Sequence, residues 1–206
     1  MIYKIIQTIF WPPFFILAKI ILRIKVINKK KIDLKNIKGP IIVASNHKSR
    51  IDPLLIGLAF PLFNKIYPIR FMTADGYLKI PILGQFIKLM GGFPVFKKQG
   101  IEKSLKLPLE ILASGGAIGI FPEGKMVKDE NSESGAKIGV AVLALKSQSP
   151  ILPIAIKIKP LLKYEIIVGE PFTMQNLIDK NIDVNSYDEM KDLSQIVMKK
   201  IAALYY

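Results

Sequence analysis

A chain of 206 residues, half of them hydrophobic, can bury one sizeable core, and no window combines the low hydrophobicity and high charge of a disordered segment. With no cysteine and a single histidine, His47, the sequence excludes disulfides, thiol nucleophiles and both thiolate and multi-histidine metal sites, so no metal is expected. The net charge of +14 favours anionic partners. Only Arg23, Arg50 and Arg70 supply the guanidinium forks that read bases, which argues against nucleic acid, and an Ile- and Lys-rich proteome accounts for part of the charge.

Residues 5–22, IIQTIFWPPFFILAKIIL, are apolar apart from Gln7, Thr8 and Lys19 and nearly long enough to reach across a bilayer. Pro12 and Pro13 remove two backbone donors, and the spacing predicts two short helices hinged there. Lys4, Lys19, Arg23 and Lys25 flank rows containing Phe10, Trp11, Phe14 and Phe15, the mix expected of a segment lying in the interface of an anionic membrane. Residues 1–24 are therefore expected to be a monotopic anchor on the cytoplasmic face of the cell membrane, and 25–206 one further domain. A helix pair merely covering the core is the plainer alternative.

From residue 39 on, β-rich runs alternate with helical stretches, which predicts a single α/β domain with a mixed, mostly parallel sheet flanked by helices. Strands are expected over 40–46, 69–74, 93–96, 117–121, 151–156 and 164–169. Helices are expected from just after Ser49 to about Leu58, in short pieces around 77–90 interrupted by Pro81 and Gly84, over 101–113 and 136–146, and from Ser186, which forms a capping box with Glu189. Sites in open α/β sheets form beyond the carboxyl ends of strands. Three polar clusters occupy such positions: Asn46 to Asp52, Phe96-Lys97-Lys98, and Phe121-Pro122-Glu123-Gly124-Lys125.

His47 and Asp52 are five residues apart at a strand-to-helix turn, so their side chains are able to meet. Asp52 would then fix the imidazole tautomer and leave the other ring nitrogen as a base toward a substrate hydroxyl. Ser49 reads as the helix N-cap in an S-x-x-D box, which competes with His47 for the Asp52 carboxylate. For each cluster alone a structural reading is the commoner one: Glu123 as a buried acid satisfied by backbone amides, Lys97-Lys98 as a solvated pair.

In order, N-H-x-x-x-x-D (46–52), GGFPVFK (91–97), FPEG (121–124) and PILP (150–153) resemble the blocks of the glycerolipid acyltransferase family that includes bacterial 1-acylglycerol-3-phosphate acyltransferases. The likeness runs across roughly residues 39–172. It implies that His47 is the general base and Asp52 its orienting partner, with Asn46, Ser49, Phe121 and Pro122 in support. It also implies that Lys97, Glu123, Gly124 and Lys125 bind or position the acceptor. Where family members usually carry arginine after GGFPVF this chain has Lys97, and where Thr-Arg commonly follows FPEG it has Lys125-Met126, with Lys128 close by. Lysine brings charge without a bidentate fork, which loosens the expectation of a phosphate-bearing acceptor.

GIFPEGKM has P-loop spacing but places Met126 where a magnesium-binding hydroxyl belongs, and no G-x-S-x-G elbow is present. The expected reaction is acyl transfer from an acyl-CoA or acyl carrier protein thioester, used as co-substrate with no further cofactor, to a lysophospholipid hydroxyl, giving phosphatidic acid when lysophosphatidic acid is the acceptor. Backbone amides at the start of the helix after His47 are the expected oxyanion donors. Leu83, Phe86, Ile87 and Met90 are placed along an acyl groove. The alternatives are another lysolipid or an aminolipid as acceptor, or a lipid-binding protein of the same fold without catalysis; a base at position 47 favours the enzyme.

Overall fold

The computed structural model describes residues 2–95, 100–127, 135–178 and 182–206. Seven strands among them form one sheet: β1 (Ile24–Asn28), β2 (Ile41–Ser45), β3 (Ile69–Ala74), β4 (Phe93–Val95), β5 (Ala117–Ile120), β6 (Ile151–Lys159) and β7 (Lys163–Val168), in the order β1-β7-β6-β2-β5-β3-β4. Every neighbouring pair is parallel except the β6–β7 hairpin. The mixed, mostly parallel α/β sheet is thus as expected.

The central strands are continuous apolar runs, which suits strands covered on both faces. In β2 the alternation divides the two covers: Ile42 and Ala44 join the core beneath α5 (Gly100–Ala113), α6 (Gly139–Ser147) and α7 (Tyr187–Ala202), while Ile41 and Val43 join the core beneath α2 (Asp52–Ala59). α6 is buried from Val140 to Ala144 because it is wedged between α5 and α7. In α7 the Ser186 hydroxyl accepts from the Glu189 amide as the capping box requires, but the Glu189 carboxylate accepts from the Asp183 amide and not from Ser186.

Three sequence expectations need correction. Residues Ile2–Ile21 form one helix, α1, through Pro12 and Pro13. Proline's fixed φ of about −65° is itself helical, so the helix continues through both residues although each removes a backbone donor. Strand β1 lies ahead of residue 39, where no strand is expected; it is a short sheet edge that pairs only with β7. Gly84 falls inside α4 (Leu83–Leu89), where its missing Cβ lets the helix lie against the Leu78 carbonyl of α3 (Asp75–Leu78); a Cβ there would sit 2.2 Å from that oxygen. α1 docks on the body through Phe15 and Ala18, which are buried with Leu58 of α2, and through Phe14, whose ring meets Phe86 of α4 edge-on. Among the described residues no helix is long and apolar enough to cross a membrane.

Candidate active site

His47 leaves the sheet at the carboxyl end of β2, and its backbone is held from both sides by the loop after β5. Its amide donates to Oε2 of Glu123 at 2.8 Å, and its carbonyl accepts from the Val127 amide at 2.8 Å. Gly124 turns that loop at φ +66°, a left-handed conformation that glycine adopts without strain, and the Lys137 amide closes it onto the Pro122 carbonyl at 2.7 Å. The FPEG segment therefore acts as a cradle for the His47 backbone as much as a wall of the site.

The imidazole is fixed by an edge and a face. Nδ1 lies 2.8 Å from Oδ2 of Asp52, and the ring stacks on Phe121 with centroids 4.0 Å apart and planes 10° apart. Phe121 in turn stacks on Phe71 of β3, which crosses the surface of Gly119, its paired residue in β5. A Cβ on Gly119 would sit 2.2 Å from the Phe71 ring, so this glycine is what leaves room for the aromatic stack. An ionised Asp52 is an acceptor only, which puts the proton on Nδ1 and the basic lone pair on Nε2. The His47 side chain is 19% exposed and Asp52 is fully buried, so a substrate reaches the base and not its partner.

Asp52 also organises the intervening turn. Its Oδ2 accepts from the amides of Lys48 at 2.6 Å and Ser49 at 2.8 Å, and its Oδ1 accepts from the Ser49 hydroxyl. The two uses of the carboxylate that seem to compete in the sequence are therefore both made. Ser49, however, is not the N-cap: α2 begins after Ile51 with no side-chain cap, and the Ser49 hydroxyl faces Asp52. Of the amides at this turn, those of Lys48 and Ser49 point inward to Asp52, and that of Asp52 donates to the Ser49 carbonyl.

Glu123 is buried, and burial raises its pKa, opposed by the hydrogen bond from the His47 amide and by the charge of Lys48. A carboxyl with a raised native pKa stabilises the fold most below its unfolded pKa, and that contribution fades as pH rises through the native value. Glu123→Gln keeps a carbonyl oxygen for the His47 amide but does not titrate. Its melting temperature relative to wild type is therefore expected to rise between about pH 4 and about pH 8. A difference that stays constant with pH, followed by circular dichroism, would contradict the shift.

Of the residues expected to bind the acceptor, Glu123 and Gly124 lie in the cradle and Lys125 is exposed beside it. Lys97, like Lys98 and Lys128, lies outside the described residues. Pro153 sits within β6 opposite Ala44 of β2, so the PILP block is part of the central sheet. Leu83 and Phe86, expected to line an acyl groove, are surface residues of α4, 41% and 39% exposed. Asn46 is buried and pairs with the Ile156 backbone and the Tyr205 hydroxyl. Val127, Gly119, Phe71 and Tyr205 carry no motif signal, although Val127 follows the FPEG block by three residues.

A family model described as Acyltransferase matches residues 23–157, which takes in the His47–Asp52 turn, the FPEG cradle and the β6 strand behind them. The chain belongs to this acyltransferase family. The 1-acyl-sn-glycerol-3-phosphate acyltransferase of Bacillus subtilis is 26% identical over 155 residues, covering 72% of this chain and 73% of that protein. The yeast (Saccharomyces cerevisiae) protein of the same name is 32% identical over 124 residues, covering 58% of this chain and 39% of its own length. A probable one from Mycoplasma genitalium is 31% identical over 121 residues, covering 58% and 44%. The aligned part thus spans less than half of the yeast and Mycoplasma proteins. The crystal structure of the LPA acyltransferase PlsC from Thermotoga maritima superposes with a TM-score of 0.66 at 20% identity, covering 98% of this acyltransferase and 79% of that chain, which shows a shared fold.

Proposed function

We propose that this acyltransferase moves a fatty acyl group from acyl-CoA or an acyl carrier protein thioester to the free hydroxyl of lysophosphatidic acid, giving phosphatidic acid for phospholipid biosynthesis. The observation that carries the reading is the buried Asp52 carboxylate on Nδ1 of a partly exposed His47 at the sheet's carboxyl end. The name shared by the Bacillus and yeast relatives, 1-acyl-sn-glycerol-3-phosphate acyltransferase, supports the acceptor. Nε2 takes the hydroxyl proton as the oxygen attacks the thioester carbonyl. The tetrahedral intermediate then collapses, the carbon–sulfur bond breaks, and the imidazolium returns its proton to the thiolate, so the products are an ester and a free thiol. Asp52 holds the tautomer and stabilises the imidazolium. The substrate supplies the nucleophile, so no acyl-enzyme forms and no cofactor beyond the co-substrate is required.

Acceptor recognition is assigned to the FPEG cradle with Lys125, and to Lys97 of the GGFPVFK block, which lies outside the described residues. One observation favours a second acceptor class: Met126, 36% exposed, is apolar where relatives commonly place an arginine, so another lysolipid or an aminolipid remains the alternative. The test is thiol release from palmitoyl-CoA and from a palmitoyl carrier thioester, with lysophosphatidic acid and then with lysophospholipids of other headgroups. Release that requires lysophosphatidic acid is expected, and the faster thioester identifies the donor. Release dependent only on another lysolipid would transfer the reading to that acceptor, and no release with any would overturn it.

The proposed location is peripheral or monotopic, on anionic lipid at the cytoplasmic face of the cell membrane. On α1, Ile16, Leu17, Ile20 and Ile21 are 55–68% exposed on the side away from Leu58. The pairing of Ile24 with Tyr164 brings the end of α1 beside the β6–β7 turn, where Leu161 is 79% exposed between Lys159 and Lys163. β6 runs on past its pairing with the end of β2 to reach that turn, so apolar residues with a basic rim gather at the same end of the sheet as His47. Ile16→Glu with Ile20→Glu is expected to weaken partition onto anionic vesicles by about tenfold or more, whereas Leu107→Glu on α5 is expected to leave it unchanged. Equal binding by the double variant and wild type would sink this placement.

A further inference from the structure

At the end of β2 the ladder with β6 stops at Ser45 opposite Ile154, because the chain must turn away to present His47. Two residues further along β6, the backbone of Ile156 faces the gap this leaves, and both of its polar groups need partners. The Asn46 side chain supplies them: Oδ1 accepts from the Ile156 amide at 2.7 Å, and Nδ2 donates to the Ile156 carbonyl at 3.0 Å. A primary amide thus stands in for the missing peptide of the neighbouring strand.

A third group closes the arrangement. Nδ2 also donates to the Tyr205 hydroxyl at 2.9 Å, and that hydroxyl donates to the Ile156 carbonyl at 2.9 Å. Tyr205 ends the 3-10 turn Ala203–Tyr205 that continues α7, so a residue 159 positions from Asn46 in sequence meets it here. The turn is pinned by Lys157, whose ammonium donates to the Tyr205 carbonyl at 2.7 Å and lies 4.8 Å from the centre of its ring. Flipping the Asn46 amide would set its NH2 against the Ile156 amide and its oxygen against the Ile156 carbonyl, and the tyrosine hydroxyl, now drawn to donate to that oxygen, would give up the Ile156 carbonyl. Only one orientation satisfies all three partners.

We propose that Tyr205 is a positioning residue for acyl transfer, acting through Asn46 to fix where the chain leaves β2 and hence where His47 Nε2 lies. Asn46 is covalently next to His47, and a displacement of about 1 Å at a reacting group is enough to lower a rate by about 10²-fold. The role rests on His47 being the base, as proposed above, but one of its readouts does not. The chain has a single histidine, so the imidazole Hε1 proton gives one assignable resonance whether or not any acceptor turns over.

In Tyr205→Phe, which keeps the ring and loses the hydroxyl, kcat is expected to fall about tenfold with KM for both substrates little changed. The melting temperature should stay close to that of wild type, and the His47 resonance should broaden or split as the turn samples more than one position. In an Asn46→Ala background the same substitution should lower kcat no further, because the route through Asn46 to His47 has gone. The proposal is overturned if Tyr205→Phe leaves kcat and the resonance unchanged, whether or not the melting temperature falls, or if its effect is fully additive with Asn46→Ala. An inactive wild-type protein whose resonance still responds to Tyr205→Phe would count against the acyl-transfer reading while supporting the link from Tyr205 to His47.

Discussion

His47→Ala is expected to reduce acceptor-dependent thiol release by about 10²- to 10⁴-fold, the contribution of a well-placed general base. The loss should fall on kcat, because the ring contacts the hydroxyl proton in the transition state and is not the group assigned to hold the acceptor. The fold should survive. Without the imidazole, Asp52 Oδ2 still accepts from the Lys48 and Ser49 amides, Oδ1 keeps the Ser49 hydroxyl, and the His47 backbone is still held by Glu123 and Val127. A circular dichroism spectrum matching wild type, beside lost turnover, would separate chemistry from folding. Undiminished turnover would show that the proton goes to another group, and the pairing with Asp52 would then be structural.

The sheet was legible because its strands are buried on both faces: Ile41–Ser45 and Ile151–Ile156 read as apolar runs whichever face each residue takes. The His47–Asp52 pair was legible for a different reason. Five residues across a strand-to-helix turn is a local distance, so little tertiary knowledge is needed to bring the side chains together. The meeting of the first and third clusters followed from the rule that strand ends gather, although the specific bond, a backbone amide to Glu123, did not. β1 escaped notice because a five-residue edge strand pairing with one neighbour has no continuous apolar signature. The Gly119–Phe71–Phe121 stack and the Tyr205 contact depend on register between distant segments, which no local spacing encodes. The inward rotation of the Lys48 and Ser49 amides was also hidden. It follows from a fully buried carboxylate that accepts from both of those amides and from the Ser49 hydroxyl, a tertiary fact that overrode the expected Ser49 cap.

That same capture makes Asp52 the position where function and stability are hardest to separate. It is fully buried and accepts four hydrogen bonds, three of them on Oδ2. Asp52→Ala would leave an imidazole N–H, two amides and a hydroxyl facing a void, and removing one partner of a buried charged pair costs about 3–5 kcal/mol. Against a total stability of about 5–15 kcal/mol for an ordinary domain, much of that variant should be unfolded at moderate temperature. Asp52→Asn isolates the chemistry. Its carbonyl oxygen replaces Oδ2 toward the three N–H donors, and its NH2 faces the Ser49 hydroxyl, which is free to turn and accept. What it lacks is the charge that stabilises an imidazolium, so kcat is expected to drop about 10²-fold or more while the fold persists. In a His47→Ala background Asp52→Asn should lower kcat no further, since the carboxylate acts on the reaction through the imidazole alone. Full turnover in Asp52→Asn would mean that this carboxylate holds the turn together and contributes nothing to proton transfer.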